Sequence, residues 1–380
     1  MTENRIRIAL DCRYLHARPS GVGEVVEALV RYLPQLAPDL DFLFLRHPDR
    51  TTPLSNAPNV QEVEVRSPAN GPVTLLHLPL AVDLSGVDLF HAPANILPGG
   101  LAMPAITTVH DVMWLTHPKW CNPSAWGLIE RAFYRRGITL ALKRSAVVAT
   151  VSEATRSEIC AVAPAVACRV HVTLSGVAED FAPAPRDDAL LGTLGLAPGQ
   201  RYVLIVGQGA PYKNHENALR AFAAAFGGDS TLDLVLVRRR GDTGADLARI
   251  ARSLGIERRV RFLDTVSRHA LIQLYACAEM LLHPSLIEGF GNPVAEAMAC
   301  GCPVVTSDCS AMPEVAGGAA LLADPRDPAA IAARLRQVFD DPALAADLRA
   351  RGLRRAETLD WRAFAAANLA LYRRVLDSSA

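Results

Sequence analysis

Residues 283–308 read HPSLIEGFGNPVAEAMACGCPVVTSD. An apolar strand ends near His283, and Gly289 and Gly291 then supply a loop that tolerates unusual backbone angles and close approach by a ligand. Asn292 suits an N-cap and Pro293 the first helical position, so the pattern predicts a helix that starts there and stops at Gly301. A further apolar run, PVVT, follows at once. Strand, loop, helix and strand in this order form a unit of a parallel sheet. The start of such a helix also attracts anions, because its first amides lack intrahelical partners and its dipole is positive there.

Glu288 and Glu296 flank that helix start, one on the loop and one about a turn into the helix. Carboxylates beside an anion site would repel a second anion, so the pair is read as accepting hydrogen bonds from hydroxyls, such as those of a sugar or ribose. The arrangement points to a sugar nucleotide. Taken singly, Glu288 reads equally well as a loop solubiliser and Glu296 as a dipole-stabilising residue.

The same alternation extends outward through the chain. In the second half, residues 202–206, 232–237, 260–263, 280–283 and 303–306 read as strands, each followed by helical material. In the first half the strand candidates are residues 6–10, 41–45, 60–65, 105–109 and 147–151, and Val22, Val25, Val26, Leu29, Val30 and Leu33 form one helical stripe after the first of them. A proline-rich acidic segment, residues 182–199, marks the expected domain boundary. The class is therefore α/β, with two doubly wound sheets. A ligand between two such domains, at the carboxyl ends of their strands, is the natural expectation.

Composition narrows the function. The chain has 380 residues, 39 basic and 39 acidic side chains, and 50% hydrophobic residues. That balance excludes a disordered chain and a polyelectrolyte binder, so no nucleic-acid partner is expected. No apolar run approaches the roughly 20 residues of a bilayer span and no signal-peptide core is present, which predicts a cytoplasmic protein. The eight cysteines show no metal-binding spacing and are read as buried residues and free thiols. Only three lysines occur, Lys119, Lys143 and Lys213.

The string EGFGNPVAEAMACGCPVV, residues 288–305, resembles the signature of the retaining glycosyltransferases of family 4, the glycosyl transferases group 1. The resemblance implies the GT-B fold: two facing Rossmann-like, doubly wound domains with a C-terminal helix crossing back. It divides the chain into an acceptor domain at 1–185, a nucleotide-sugar donor domain at 199–360 and the returning helix at 361–380. It implies that Glu288 contacts the donor sugar, that Glu296 binds the ribose, and that Gly289, Phe290, Gly291, Asn292 and Pro293 meet the sugar and diphosphate. VGQGAPYKN, residues 206–214, resembles the turn that sets a lysine on the diphosphate, with Gly207 in the turn and Lys213 as the cation. SGVGEVV, residues 20–26, resembles the family's flexible loop, where Gly21 and Gly23 border the diphosphate. TVHDVMW, residues 108–114, sets His110 beside the transferred sugar, with Asp111 orienting it or ending the strand.

The implied reaction moves a hexose from a nucleoside diphosphate sugar to a hydroxyl of a glycan or lipid-linked glycan with the configuration kept, in surface polysaccharide assembly. His110, Lys213 and Glu288 are the expected catalytic residues. The co-substrate is the nucleotide sugar; no cofactor or metal is required. The VG…KN turn and GFGNP loop are most similar to mannosyltransferase members, so GDP-mannose is the first donor considered. Departures from the pattern are Gln208 and Tyr212, which leave a second diphosphate cation unassigned, Arg238, Arg239 and Arg240, one of which could supply it, and Asp264, which stands where relatives often have glycine near the base pocket. The only DxD pattern, Asp39 and Asp41, reads as a turn before a strand.

Three other readings stay open. A nicotinamide dehydrogenase is disfavoured because Tyr212 replaces the third glycine of a GxGxxG at Gly207 and Gly209. A non-catalytic sugar-nucleotide-binding protein and a GT-B epimerase share the fold. Residues 126–144 alternate apolar side chains with Arg131, Arg135, Arg136, Lys143 and Arg144, the pattern of a crossover helix with a solvated face or of a peripheral contact with the inner face of a membrane. No feature sets an oligomeric state.

Overall fold

The computed structural model describes residues 5–15, 21–122, 127–229, 231–238 and 244–378. The chain forms two compact units, Met1–Ser175 with Asp360–Ala380, and Gly176–Leu359. The division lies upstream of the proline-rich segment in which the sequence places the boundary. That segment is tied to the second unit: the Gln273 side chain accepts from the Asp187 amide at 3.0 Å and donates to the Pro185 carbonyl at 3.0 Å, and just before it Asp180 pairs with Arg268 at 2.6 Å.

The first unit holds seven parallel strands, β1 (Arg7–Asp11), β2 (Asp41–Arg46), β3 (Val60–Glu64), β4 (Leu89–Ala92), β5 (Ala105–Val109), β6 (Val147–Thr150) and β7 (Val170–Val172), in the order β3-β2-β1-β4-β5-β6-β7. The second holds six, β8 (Arg201–Val206), β9 (Leu232–Val237), β10 (Val260–Leu263), β11 (Met280–His283), β12 (Val304–Ser307) and β13 (Leu321–Ala323), in the order β10-β9-β8-β11-β12-β13. In each sheet the chain works outward on one side and then crosses to the other. This creates a switch point between β1 and β4 and another between β8 and β11, and the crevice there opens at the carboxyl ends of the strands.

Strands covered on both faces need continuous apolar runs, and β8 and β9 have them. Their helix-facing side chains Val203, Ile205, Leu234 and Leu236 pack with Ala218, Leu219, Phe222 and Phe226 of the helix His215–Phe226. Fully burying side chains of this size contributes about 1.5–3 kcal/mol each. Asp39 and Asp41 belong to the turn into β2, where they lie 3.7 Å from Arg373 and 3.1 Å from Arg5.

The C-terminal helix Trp361–Asp377 packs within the first unit, against the helix Gly21–Leu36. Its anchor is polar. Buried His91 of β4 bonds the Tyr372 hydroxyl through Nδ1 at 2.6 Å and the Thr108 hydroxyl through Nε2 at 2.8 Å. Burial, helped by the neighbouring His110, drives the pKa of His91 down from 6.5 to about 3. The unfolded chain therefore binds a proton at higher pH than the folded one does. Stability should be level above about pH 7 and fall as pH drops from 6.5 toward 3. Urea titrations over that range should show the slope, and His91→Gln should make it shallower by the share that His91 contributes beside His215.

Candidate functional site

The second unit gathers its chemistry at the switch point. After β8 the chain passes Gly207 and a single turn, Pro211–Lys213, before Asn214 takes a left-handed conformation at φ 59°. The Asn214 side chain holds that geometry, its Nδ2 donating to the carbonyls of Pro284 at 3.0 Å and Pro325 at 2.7 Å. The turn delivers Lys213 to the loop after β11. There its ammonium lies 2.6 Å from Glu288 Oε1, and both side chains are about nine-tenths buried. A side chain on Gly207 would touch Lys213, since a Cβ there would stand 3.4 Å from Lys213 Cδ.

His283, the last residue of β11, completes the group, with Nε2 3.1 Å from the same Glu288 oxygen. Ser310 braces the loop from below: its hydroxyl accepts from the Glu288 amide and donates to the Glu288 carbonyl, each at 2.9 Å. Burial alone would raise the pKa of Glu288, but Lys213 and His283 outweigh it and hold the carboxyl below its usual range. Burial lowers His283, with Glu288 opposing. The site thus keeps an ionised carboxylate and a lysine side by side at neutral pH.

The helix beyond is Asn292–Ala299, and its cap differs from the sequence expectation. Gly291, not Asn292, occupies the N-cap position at φ 105°, and no side chain caps this end. The backbone angle explains the glycine, since a side chain is strained there whatever the space, and a Cβ would also have to displace the flexible end of Met312, 2.3 Å away. The helix closes at Gly301, whose amide donates to Met298 at 3.0 Å while that of Cys302 reaches Ala297 at 2.8 Å. Glu296, 9% exposed, is held by the Tyr275 hydroxyl, which donates to Oε2 at 2.8 Å. Burial and the adjacent Glu296 push Tyr275 well above its ordinary pKa, so it remains a donor.

Gln208 and Tyr212 bond each other through the side-chain amide and the hydroxyl, so neither adds charge. Arg238 is buried at the end of β9, its guanidinium 5.7 Å from the Phe262 ring centroid and within the field of Asp264. Arg239 and Arg240 lie outside the described residues.

In the first unit, His110 follows β5. Its amide donates to Asn95 Oδ1 at 2.6 Å and its Nε2 to the Pro93 carbonyl at 2.7 Å, which fixes the Nε2–H tautomer. Burial lowers its pKa, so the ring is neutral. Asp111 Oδ1 accepts from the Met113 amide at 2.9 Å. Ser152 caps the helix Glu153–Val162 through the Thr155 amide. Gly21 and Gly23 stand in the first turn of Gly21–Leu36.

Sequence reasoning thus missed His283, Tyr275, Ser310 and Met312. Only His283, at a strand end five residues before Glu288, had a local signal.

Residues 19–181 match the family model described as Glycosyltransferase Family 4, and residues 189–355 that of Glycosyl transferases group 1. The O-antigen chain mannosyltransferase B of Escherichia coli is 33% identical over 276 residues, 72% of this chain and 71% of that protein. A D-inositol 3-phosphate glycosyltransferase of Kineococcus radiotolerans is 33% identical over 248 residues, 60% of this chain and 57% of the other. The sucrose-phosphate synthase of Thermosynechococcus elongatus shares the fold, with a TM-score of 0.73 at 22% identity over 98% of this chain and 100% of that one.

Gly291→Ala should destabilise the second unit by about 1–3 kcal/mol, because both its backbone angle and the contact with Met312 disfavour a side chain. Adding Met312→Ala should recover only part of the loss in urea unfolding, since the backbone strain stays.

Proposed function

The chain belongs to the glycosyl transferases of group 1 and family 4, and from that premise we propose that it moves a hexose from a nucleoside diphosphate sugar to a hydroxyl of a glycan or lipid-linked glycan. The observation that carries the reading is the buried Lys213–Glu288 pair beside an uncapped helix start. The first donor to test is GDP-mannose, since the E. coli relative is named a mannosyltransferase. Surface polysaccharide assembly is the setting that its name suggests.

Breaking the bond between the anomeric carbon and the diphosphate oxygen leaves positive charge on the sugar and negative charge on the leaving group. Lys213 and the positive end of Asn292–Ala299, opening through Gly289, Phe290, Gly291, Asn292 and Pro293, stabilise the latter. Glu288 and Glu296 accept hydrogen bonds from sugar and ribose hydroxyls. His110, neutral with Nδ1 as an acceptor, is assigned to the transferred sugar, and Gly21 and Gly23 to the diphosphate. The acceptor oxygen attacks the face the diphosphate leaves, its proton passes to a diphosphate oxygen, and the configuration is retained. Neither step needs a metal.

A peripheral membrane contact is part of the proposal. The helix Gly127–Arg144 exposes Leu128 and Ile129 together with Arg135, Arg136, Lys143 and Arg144. Such a mixed face suits anionic lipid. Among the described residues no helix is long and apolar enough to cross a membrane. Flotation with liposomes should show binding that needs anionic lipid and weakens with salt.

The function is tested by release of nucleoside diphosphate from GDP-mannose and from UDP- and dTDP-sugars. Lys213→Ala and Glu288→Gln should each lower kcat/KM by about 100-fold or more, and EDTA should leave the rate unchanged. A protein that binds donor yet never releases the diphosphate or forms product would instead be a sensor.

A further inference from the structure

The buried pair at the switch point of the second unit has a third member, His283, whose partners do not suit a neutral ring. Resting on the donor reading above, we propose that His283 takes up a proton from solvent when the donor diphosphate engages Lys213, and that the imidazolium then holds Glu288 ionised and in place for the sugar. His283 is thus a positioning residue that acts through Glu288.

His283 ends β11 and is 2% exposed. Its Nε2 lies 3.1 Å from Glu288 Oε1 and 3.2 Å from the Ser285 hydroxyl, and the ring also bonds the Val206 carbonyl of the adjoining β8. Its own carbonyl accepts from the Thr306 hydroxyl of β12 at 2.8 Å, which fixes the backbone under the ring. An ionised carboxylate and a carbonyl only accept, and a neutral imidazole has a single N–H to give them. Serving both takes the charged ring. In the free protein the shortfall is covered by Lys213, whose ammonium lies 2.6 Å from the same Glu288 oxygen. Burial, and with it the Lys213 charge, keeps the His283 pKa below its ordinary 6.5 against the pull of Glu288.

A diphosphate at Lys213 reverses this balance. It draws the ammonium away from Glu288 and brings anionic oxygens beside the ring, and both changes favour the imidazolium. Glu288 is then left buried with His283 as its remaining cation. Without a proton on that ring, burial would push the carboxyl up and turn an acceptor of sugar hydroxyls into an acid. The charged and titratable groups gathered here are Lys213 on the turn after β8, His215 on the helix that follows it, Arg238 at the end of β9 and Glu288 on the loop after β11, and all four act on or with the two histidines. The sign follows from linkage. A group whose pKa rises on binding lends its full contribution below its free value and loses it as pH climbs through the bound value.

Calorimetric titration of the full chain with GDP-mannose, UDP-glucose and dTDP-glucose, at neutral pH in buffers of different ionisation enthalpy, tests this. These diphosphate diesters have no proton of their own to exchange near neutrality, so the buffer dependence counts protons taken up by the protein. Uptake approaching one proton is expected for the donor that binds, with affinity level below about pH 6 and falling by up to about tenfold per pH unit above it. His283→Gln keeps a donor for Glu288 but cannot gain a charge. It should show no uptake, match the parent at about pH 8.5 and bind at least about fivefold more weakly at about pH 6. His283→Asn takes its place if that variant does not fold, and His215→Gln should keep the uptake. Binding by the parent without uptake would overturn the inference, as would uptake that survives replacement of His283, which would give the proton to Glu288 or His215. Either result leaves the donor reading standing. Failure of all three sugar nucleotides to bind removes the donor reading and this inference with it.

Discussion

An ammonium and a carboxylate 2.6 Å apart, both largely out of water, set the terms for the second unit. Burying either alone would be strongly unfavourable, whereas together, with His283 as a third partner, they hold two loops against each other. One loop follows β8 and the other follows β11, the neighbouring strands where the chain reverses its direction across the sheet. The local oddities around them serve that meeting. Gly207 leaves room for the lysine stem, Asn214 bends back at a left-handed angle, and Ser310 clasps the backbone of Glu288. Electrostatics, backbone shape and sheet topology thus converge on one point at the strand ends.

Much of this was legible in the sequence because the pieces are local. The βα pattern and the GFGNP loop lie within short windows, and the ends of β5, β9, β10 and β11 match their apolar runs. β4, β7 and β13 escaped notice for physical reasons: β7 and β13 have three residues each, and the four of β4 are interrupted by His91. So brief a run has no measurable period. The supports of the site were hidden differently. Tyr275 reaches Glu296 across 21 positions and Ser310 reaches Glu288 across 22, so only the folded chain reveals them. The cap at Gly291 belongs to the same class. Asn292 is the better capping residue by propensity, but the left-handed turn at Gly291, with φ 105°, is set by the fold.

The first unit organises its strand ends by another logic. There the conspicuous ring is kept uncharged: His110 is clamped between a carbonyl and an asparagine, and burial keeps it deprotonated. The second unit stores charge in opposed pairs.

The discontinuity of the first unit bears on how the protein is made. Residues 176–359 are one unbroken stretch and have every strand of their sheet in hand once the ribosome has passed them. The earlier-born half must wait, since His91 finds its tyrosine only when position 372 emerges. The seven strands of the first unit emerge earlier, but its closing helix follows only after the whole second unit. A stop codon that removed only the last twenty residues would strip the older module of its closing helix and leave the younger one whole.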